Sequence, residues 1–154
     1  MAKSIRIGGA SGYWGESMMA TPQLLKAGNV DYLVYDFLAE ITMSIMARAR
    51  ANKPEMGYAT DFITGVLKPN LQDIAAQGVK VLTNAGGVNP EACGAAARAL
   101  IAEQGLDLKV AVVLGDDLLA QGAELGTGGY SDMFSGEAFP EAEKLASVNA
   151  YLGG

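Results

Sequence analysis

The sequence predicts an α/β domain on a mostly parallel sheet with alternating βα units, Rossmann-like or doubly wound. Part of a β/α barrel is the alternative. Three observations carry this. Four short, mostly apolar runs recur along the chain, helical patterns separate them, and Gly28, Gly78 and Gly105 each stand between a helical pattern and the next run. Runs that are apolar rather than cleanly alternating suit strands buried on both faces. Repeated helix–glycine–strand punctuation suits βα units.

The elements follow in order. Ile5-Arg6-Ile7 is a short strand ending in Gly8-Gly9. Thr21-Pro22 opens a helix that Gly28 closes, and Tyr32-Leu33-Val34-Tyr35 is the second strand. Residues 40–51 form a helix stopped by Pro54, and residues 61–77 are helical with a break at Lys68-Pro69. Val79-Lys80-Val81-Leu82 is the third strand. Asn89 then fits as N-cap and Pro90 as the first residue of a helix over 90–104. Cys93, Ala96, Ala97, Leu100 and Ile101 share its buried face, which makes Cys93 a packing residue rather than a nucleophile. Residues 110–114 are the fourth strand. Residues 122–140 read as a Gly-rich loop or connector, and residues 142–152 regain a helical pattern.

Composition limits the function. The chain has 154 residues, half of them hydrophobic, and a net charge of −6, so it fits one α/β domain with a real core. The acidic balance argues against nucleic acid or a membrane surface as partner. Arg48, Arg50 and Lys53 form the one basic group, near a helix C-terminus that suits cations. No stretch reaches the ~20 apolar residues of a membrane span. With one cysteine and no signal-peptide pattern, a cytoplasmic protein is expected. There is no histidine, which removes imidazole catalysis and His-based zinc sites within this chain. Acid–base work would fall to carboxylates, Lys or Tyr, or to a hard metal ion such as Mg²⁺ on oxygen ligands.

The candidate site lies at the carboxyl ends of the strands, where α/β proteins bind ligands. After the first strand, Gly9, Ser11, Gly12 and Gly15 form a glycine-bearing loop with Tyr13 and Trp14 beside it. Its spacing matches neither the dinucleotide fingerprint nor a Walker loop, yet its backbone suits a phosphate. After the second strand come Asp36 and Glu40. These two carboxylates share a face if the helix has begun by Asp36, and they suit acid–base or Mg²⁺ chemistry. Taken alone, they suit helix N-terminal capping better. After the third strand, Asn84, Gly86, Gly87 and Asn89 form a polar turn at a helix N-terminus, with Asn89 the cap. Asp116-Asp117 follows the fourth strand. In a parallel sheet Asp36, Glu40, Asn84 and Asp116 would surround one crevice.

Four segments also occur in a familiar order: Ile5 to Gly15 with its Ser-Gly-x-x-Gly loop, Asp31 to Glu40, Asn84 to Pro90, and Ser147 to Gly153. With them the whole chain resembles the acyclic terpene utilisation AtuA-like family. The resemblance implies a bacterial or fungal protein of acyclic terpene and branched-acid breakdown, acting on acyl-CoA or carboxylate intermediates. It also implies a longer family protein of which this is the N-terminal portion; completion by a partner copy in a homo-oligomer is the alternative. Gly15-Glu16 departs from the Gly-Asp common at that place in the family. The resemblance carries over no catalytic residues; Asp36 and Glu40 are taken as catalytic from their placement after the second strand, and the ligand is expected to be a CoA thioester or carboxylate. A non-catalytic binding or assembly subunit of the same pathway is the second reading.

Overall fold

The structure is a computed structural model and describes residues 4–151. The chain forms two compact units, one through Val112 and one from Val113 onward.

The first unit carries an open three-stranded sheet of order β1-β2-β3, all parallel. β1 is Ile7–Ser11, β2 is Tyr32–Tyr35 and β3 is Lys80–Thr83. Helices alternate with the strands: α1 (Ala20–Ala27), α2 (Glu40–Asn52), α3 (Lys68–Gln77) and α4 (Pro90–Glu103). The alternating parallel βα arrangement expected from the sequence is therefore present. Gly28, Gly78 and Gly105 share a left-handed φ of 67°, as helix-terminating glycines do. Asn89 caps α4 by accepting from the Ala92 N–H at 3.3 Å.

Three elements differ from expectation. β1 starts at Ile7 and takes in Gly8 and Gly9, which are strand residues rather than loop. A Cβ on Gly8 would meet the Leu24 side chain at 3.0 Å, so close packing of α1 holds glycine in the strand against its weak propensity. Residues 61–77 change character before Pro69. A π-helical stretch, Phe62–Leu67, precedes α3, whose first turn holds the proline. Leu67 and Lys68 are themselves helical, so Pro69 lies inside a continuous helical run, and its missing N–H follows directly on the π-helical turn. Residues 110–114 form no strand. From Leu106 to Val112 the chain alternates half-buried and exposed residues beside α4, and Val113 stands 87% exposed. Strand propensity without a hydrogen-bonded neighbour gives an extended segment only.

The sheet has one covered and one open face. Gly8, Ala10, Leu33 and Tyr35 are buried on the helix side, whereas Ile7, Gly9 and Leu82 are exposed on the other. Tyr35, Phe37 and Phe62 form an aromatic cluster with centroids 5.4–6.0 Å apart. The Tyr35 hydroxyl and Thr21 Oγ1 bond at 2.7 Å inside it. Burial raises the Tyr35 phenol, and the Thr21 bond pulls the other way. Cys93 is buried on α4 as expected, and burial pushes its thiol up to about 11. We expect a thiol reagent to label it more than ~tenfold slower in the folded chain than in urea, checked by following adduct formation.

The second unit is largely irregular. A 3₁₀ turn, Leu119–Gln121, leads into α5 (Gly122–Thr127), so the segment read as loop holds one short helix. The helix expected over 142–152 is a single 3₁₀ turn, Ala142–Lys144, with residue 152 outside the described residues. Residues 148–150 are used otherwise: Leu118 N donates to Val148 O, and Ala150 N donates to Asp116 O. Asp132 accepts from the Ser135 and Phe134 N–H groups, which hold its carboxyl below the usual range.

Among the described residues no helix is long and apolar enough to cross a membrane.

Candidate functional site

The site grows out of the ends of β1, β2 and β3. The parallel ladder continues past the strands: Asp36 N donates to Ser11 O at 3.0 Å and Asn84 N donates to Tyr35 O at 3.4 Å. Tyr35 and Phe37 are both buried in the aromatic cluster. Asp36, between them, is therefore turned outward, since successive side chains of an extended segment point to opposite sides.

Asn84 meets Asp36 there. Its Nδ2 donates to Asp36 Oδ1 at 2.7 Å, and its Oδ1 accepts from the Phe37 N–H at 2.7 Å. The backbone donor sets which way the amide faces. Asn84 Nδ2 has a second N–H, and Asp36 Oδ2 lies outside this bond. The pair sits in an open groove of about 400 Å³ lined by Val34, Tyr35, Asp36, Leu82, Thr83 and Asn84. Val34 and Leu82 are register partners on the open sheet face and give the groove an apolar floor. Asp36 is the one charged residue in that lining, so an anionic group entering the groove meets no cation there.

The other expected site residues have different surroundings. α2 begins at Glu40 with Ala39 as its N-cap, so Asp36 precedes the helix and the two acids do not share a helical face. Glu40 stands in the first turn, where the dipole favours an acid. Four amides around the Gly86-Gly87 turn are engaged within the chain. Ala85 N donates to Thr83 Oγ1, Gly87 N to Asn84 O, Val88 N to Gly57 O and Asn89 N to Gly86 O. A Cβ on Gly86 would fall 2.7 Å from Pro90 Cα, so close packing requires the glycine. Asn89, besides capping α4, donates to Pro54 O and Met56 O and fastens the loop after α2.

The first loop is likewise engaged from within. Gly12 N donates to Glu16 Oε2 at 2.6 Å, so the chain's own carboxylate takes the N–H that a ligand phosphate would use. Ser11 Oγ donates to Tyr13 O, and Gly15 has a φ of 94°. Trp14 Nε1 donates to Asp61 Oδ1 at 2.8 Å, tying the loop to the start of the π-helical stretch. Sequence reading missed Asp61, and its one signal is its place just before a helix. Asp116 belongs to the second unit, where its Oδ2 accepts from Asn149 Nδ2 at 3.1 Å. Among the described residues no three His, Cys, Asp or Glu side chains gather to hold a metal ion.

Neither the curated proteins nor the solved structures contain a match to the chain. The family model described as acyclic terpene utilisation family protein AtuA matches residues 5–154. A match of that extent, over the strands and turns that build the groove, means that the chain belongs to the AtuA family of acyclic terpene utilisation.

Proposed function

We propose that the chain binds an acyl thioester intermediate of acyclic terpene breakdown in the groove at the ends of β2 and β3. There it promotes removal of a proton from the carbon next to the thioester carbonyl. The single observation that carries this is the 2.7 Å bond from Asn84 Nδ2 to Asp36 Oδ1 at the end of an apolar floor. The floor suits a branched hydrocarbon chain. The second Asn84 N–H suits the carbonyl oxygen, and Asp36 suits the base. The proton would pass from the α-carbon to Asp36 while the electron pair moves onto the carbonyl oxygen, which Asn84 stabilises. A thioester carbonyl is neutral, so it fits a groove whose charged group is an acid. A free carboxylate would need a cation such as Mg²⁺ between it and Asp36.

The test uses the purified chain, a methyl-branched acyl-CoA of terpenoid skeleton and heavy water. Deuterium entering the α-carbon at a rate proportional to protein is the expected result. Stoichiometric binding without exchange would favour a non-catalytic binding subunit, and absence of binding would remove the proposal.

A further inference from the structure

The second unit holds a hairpin whose tip is apolar. Its arms meet at Ser131 and Ala138, Phe139 N donates to Tyr130 O, and Asp132 N donates to Glu137 O. Asp132 Oδ1 accepts from the Phe134 and Ser135 N–H groups at 2.9 and 2.6 Å, and Gly136 N donates to Asp132 O at 2.9 Å. The turn is thus fixed from within, and it holds Met133 84% and Phe134 89% exposed, side by side. A single exposed apolar side chain is ordinary. A methionine next to an aromatic on an ordered turn has the composition of an interface anchor, and the order lowers the entropy lost on docking.

Charge around the tip narrows the partner. From residue 113 onward the sequence has seven acids and one base, so this unit carries the whole net charge of −6. Asp132 and Glu137 flank the tip itself. An anionic membrane, or another tip like it, repels such a surface, whereas an apolar face edged by cations suits it. The outer face of α2 is of that kind. The helix buries Thr42, Met43, Met46 and Ala47. Ile41 and Ile45, one turn apart, stand exposed on its other side. Arg48, three residues beyond Ile45 and on the same side, is exposed, as is Lys53 just past the helix.

We infer that two copies of this chain associate by exchanging these surfaces: the Met133–Phe134 tip of each copy seats on Ile41 and Ile45 of the other, with Arg48 facing the acids beside the tip. The occupant is a second copy because one chain carries both members of the complementary pair, the apolar tip with acids and the apolar helix face with cations. A two-fold dimer uses each surface once per copy, so the contact is made twice. The inference does not depend on the acyl-thioester reading of the groove.

The test is sedimentation velocity of the chain over a concentration series, with Phe134→Ser and Ile45→Glu, each checked by thermal melting. The wild type is expected to dimerise reversibly, and more weakly as salt is raised, since charges at an interface edge are screened. Each variant should raise the dissociation constant ~tenfold or more, the scale of a lost anchor. The two variants are then mixed. The Phe134→Ser chain keeps its α2 face and the Ile45→Glu chain keeps its tip. The mixture should therefore form a mixed dimer, through the one contact left intact, more tightly than either variant alone. Should Ile45→Glu disturb the helix, Arg48→Glu takes its place, and Glu137→Arg added to it should restore the dimer. A monomeric wild type overturns the inference. So does a dimer weakened by only one of the two variants or by neither, because the tip and α2 would then not meet.

Discussion

Gly87→Ala should destabilise the first unit by about 3 kcal/mol, the sum of two separate penalties. Gly87 has a φ of 52°, in the left-handed region. An L side chain there costs roughly 1–2 kcal/mol. The added Cβ would also fall on Met46 Sδ and lie 2.7 Å from Gly57 O. Met46 is 1% exposed and Gly57 O is backbone that accepts the Val88 N–H, so neither can retreat at small cost. Overpacking of this kind adds about 1–3 kcal/mol. Gly105→Ala is the internal comparison. Its φ is 67°, but its Cβ would meet nothing within 4 Å, so it carries the conformational penalty alone. Urea unfolding of both variants separates the two penalties, provided the slope with denaturant is unchanged. Equal losses would mean that the turn does not pack against Met46 and Gly57 as described. The loss also bears on the site. Gly87 N donates to Asn84 O, so a turn pushed outward carries Asn84 away from Asp36.

The helix ends were legible because their signals are local. Asn89-Pro90 marks the start of α4, and Gly28, Gly78 and Gly105 mark ends, since capping depends on a few neighbouring residues. The cores of β2 and β3 were legible as apolar runs. What failed depended on partners distant in sequence. Residues 110–114 have strand composition, but a strand exists through a hydrogen-bonded neighbour that composition does not name. Gly8-Gly9 looked like loop, yet close approach of Leu24 keeps Gly8 in the sheet. Asp36 and Asn84 were each expected at strand ends, but their direct contact needs the Tyr35↔Thr83 register. Asp36 and Glu40 looked like one face because four-residue spacing is helical, and the helix begins only at Glu40. Gly86-Gly87 looked like an anion cradle, and the amides donated at 85, 87, 88 and 89 are spent within the chain. Glycine at such a turn can serve ligand approach or close packing, and the positions of Pro90 and Met46 show the packing demand.

Asp36→Asn is expected to lower α-proton exchange of a branched acyl-CoA by roughly 1,000-fold while leaving its binding within about threefold, the scale of a lost general base. The substitution is nearly isosteric. Asn84 Nδ2 can still donate to an amide oxygen at position 36, so the 2.7 Å contact survives if the new amide turns its oxygen toward it. The apolar floor of Val34 and Leu82 is untouched, and on the proposed reading that floor would supply most of the affinity. What is lost is the capacity to take a proton. Binding and exchange should therefore separate, with affinity read by calorimetry and exchange by deuterium uptake. Loss of both together would show that Asp36 holds the ligand or the turn rather than the proton. Unchanged exchange would remove Asp36 from the chemistry, with Glu40 at the head of α2 the next carboxylate to replace.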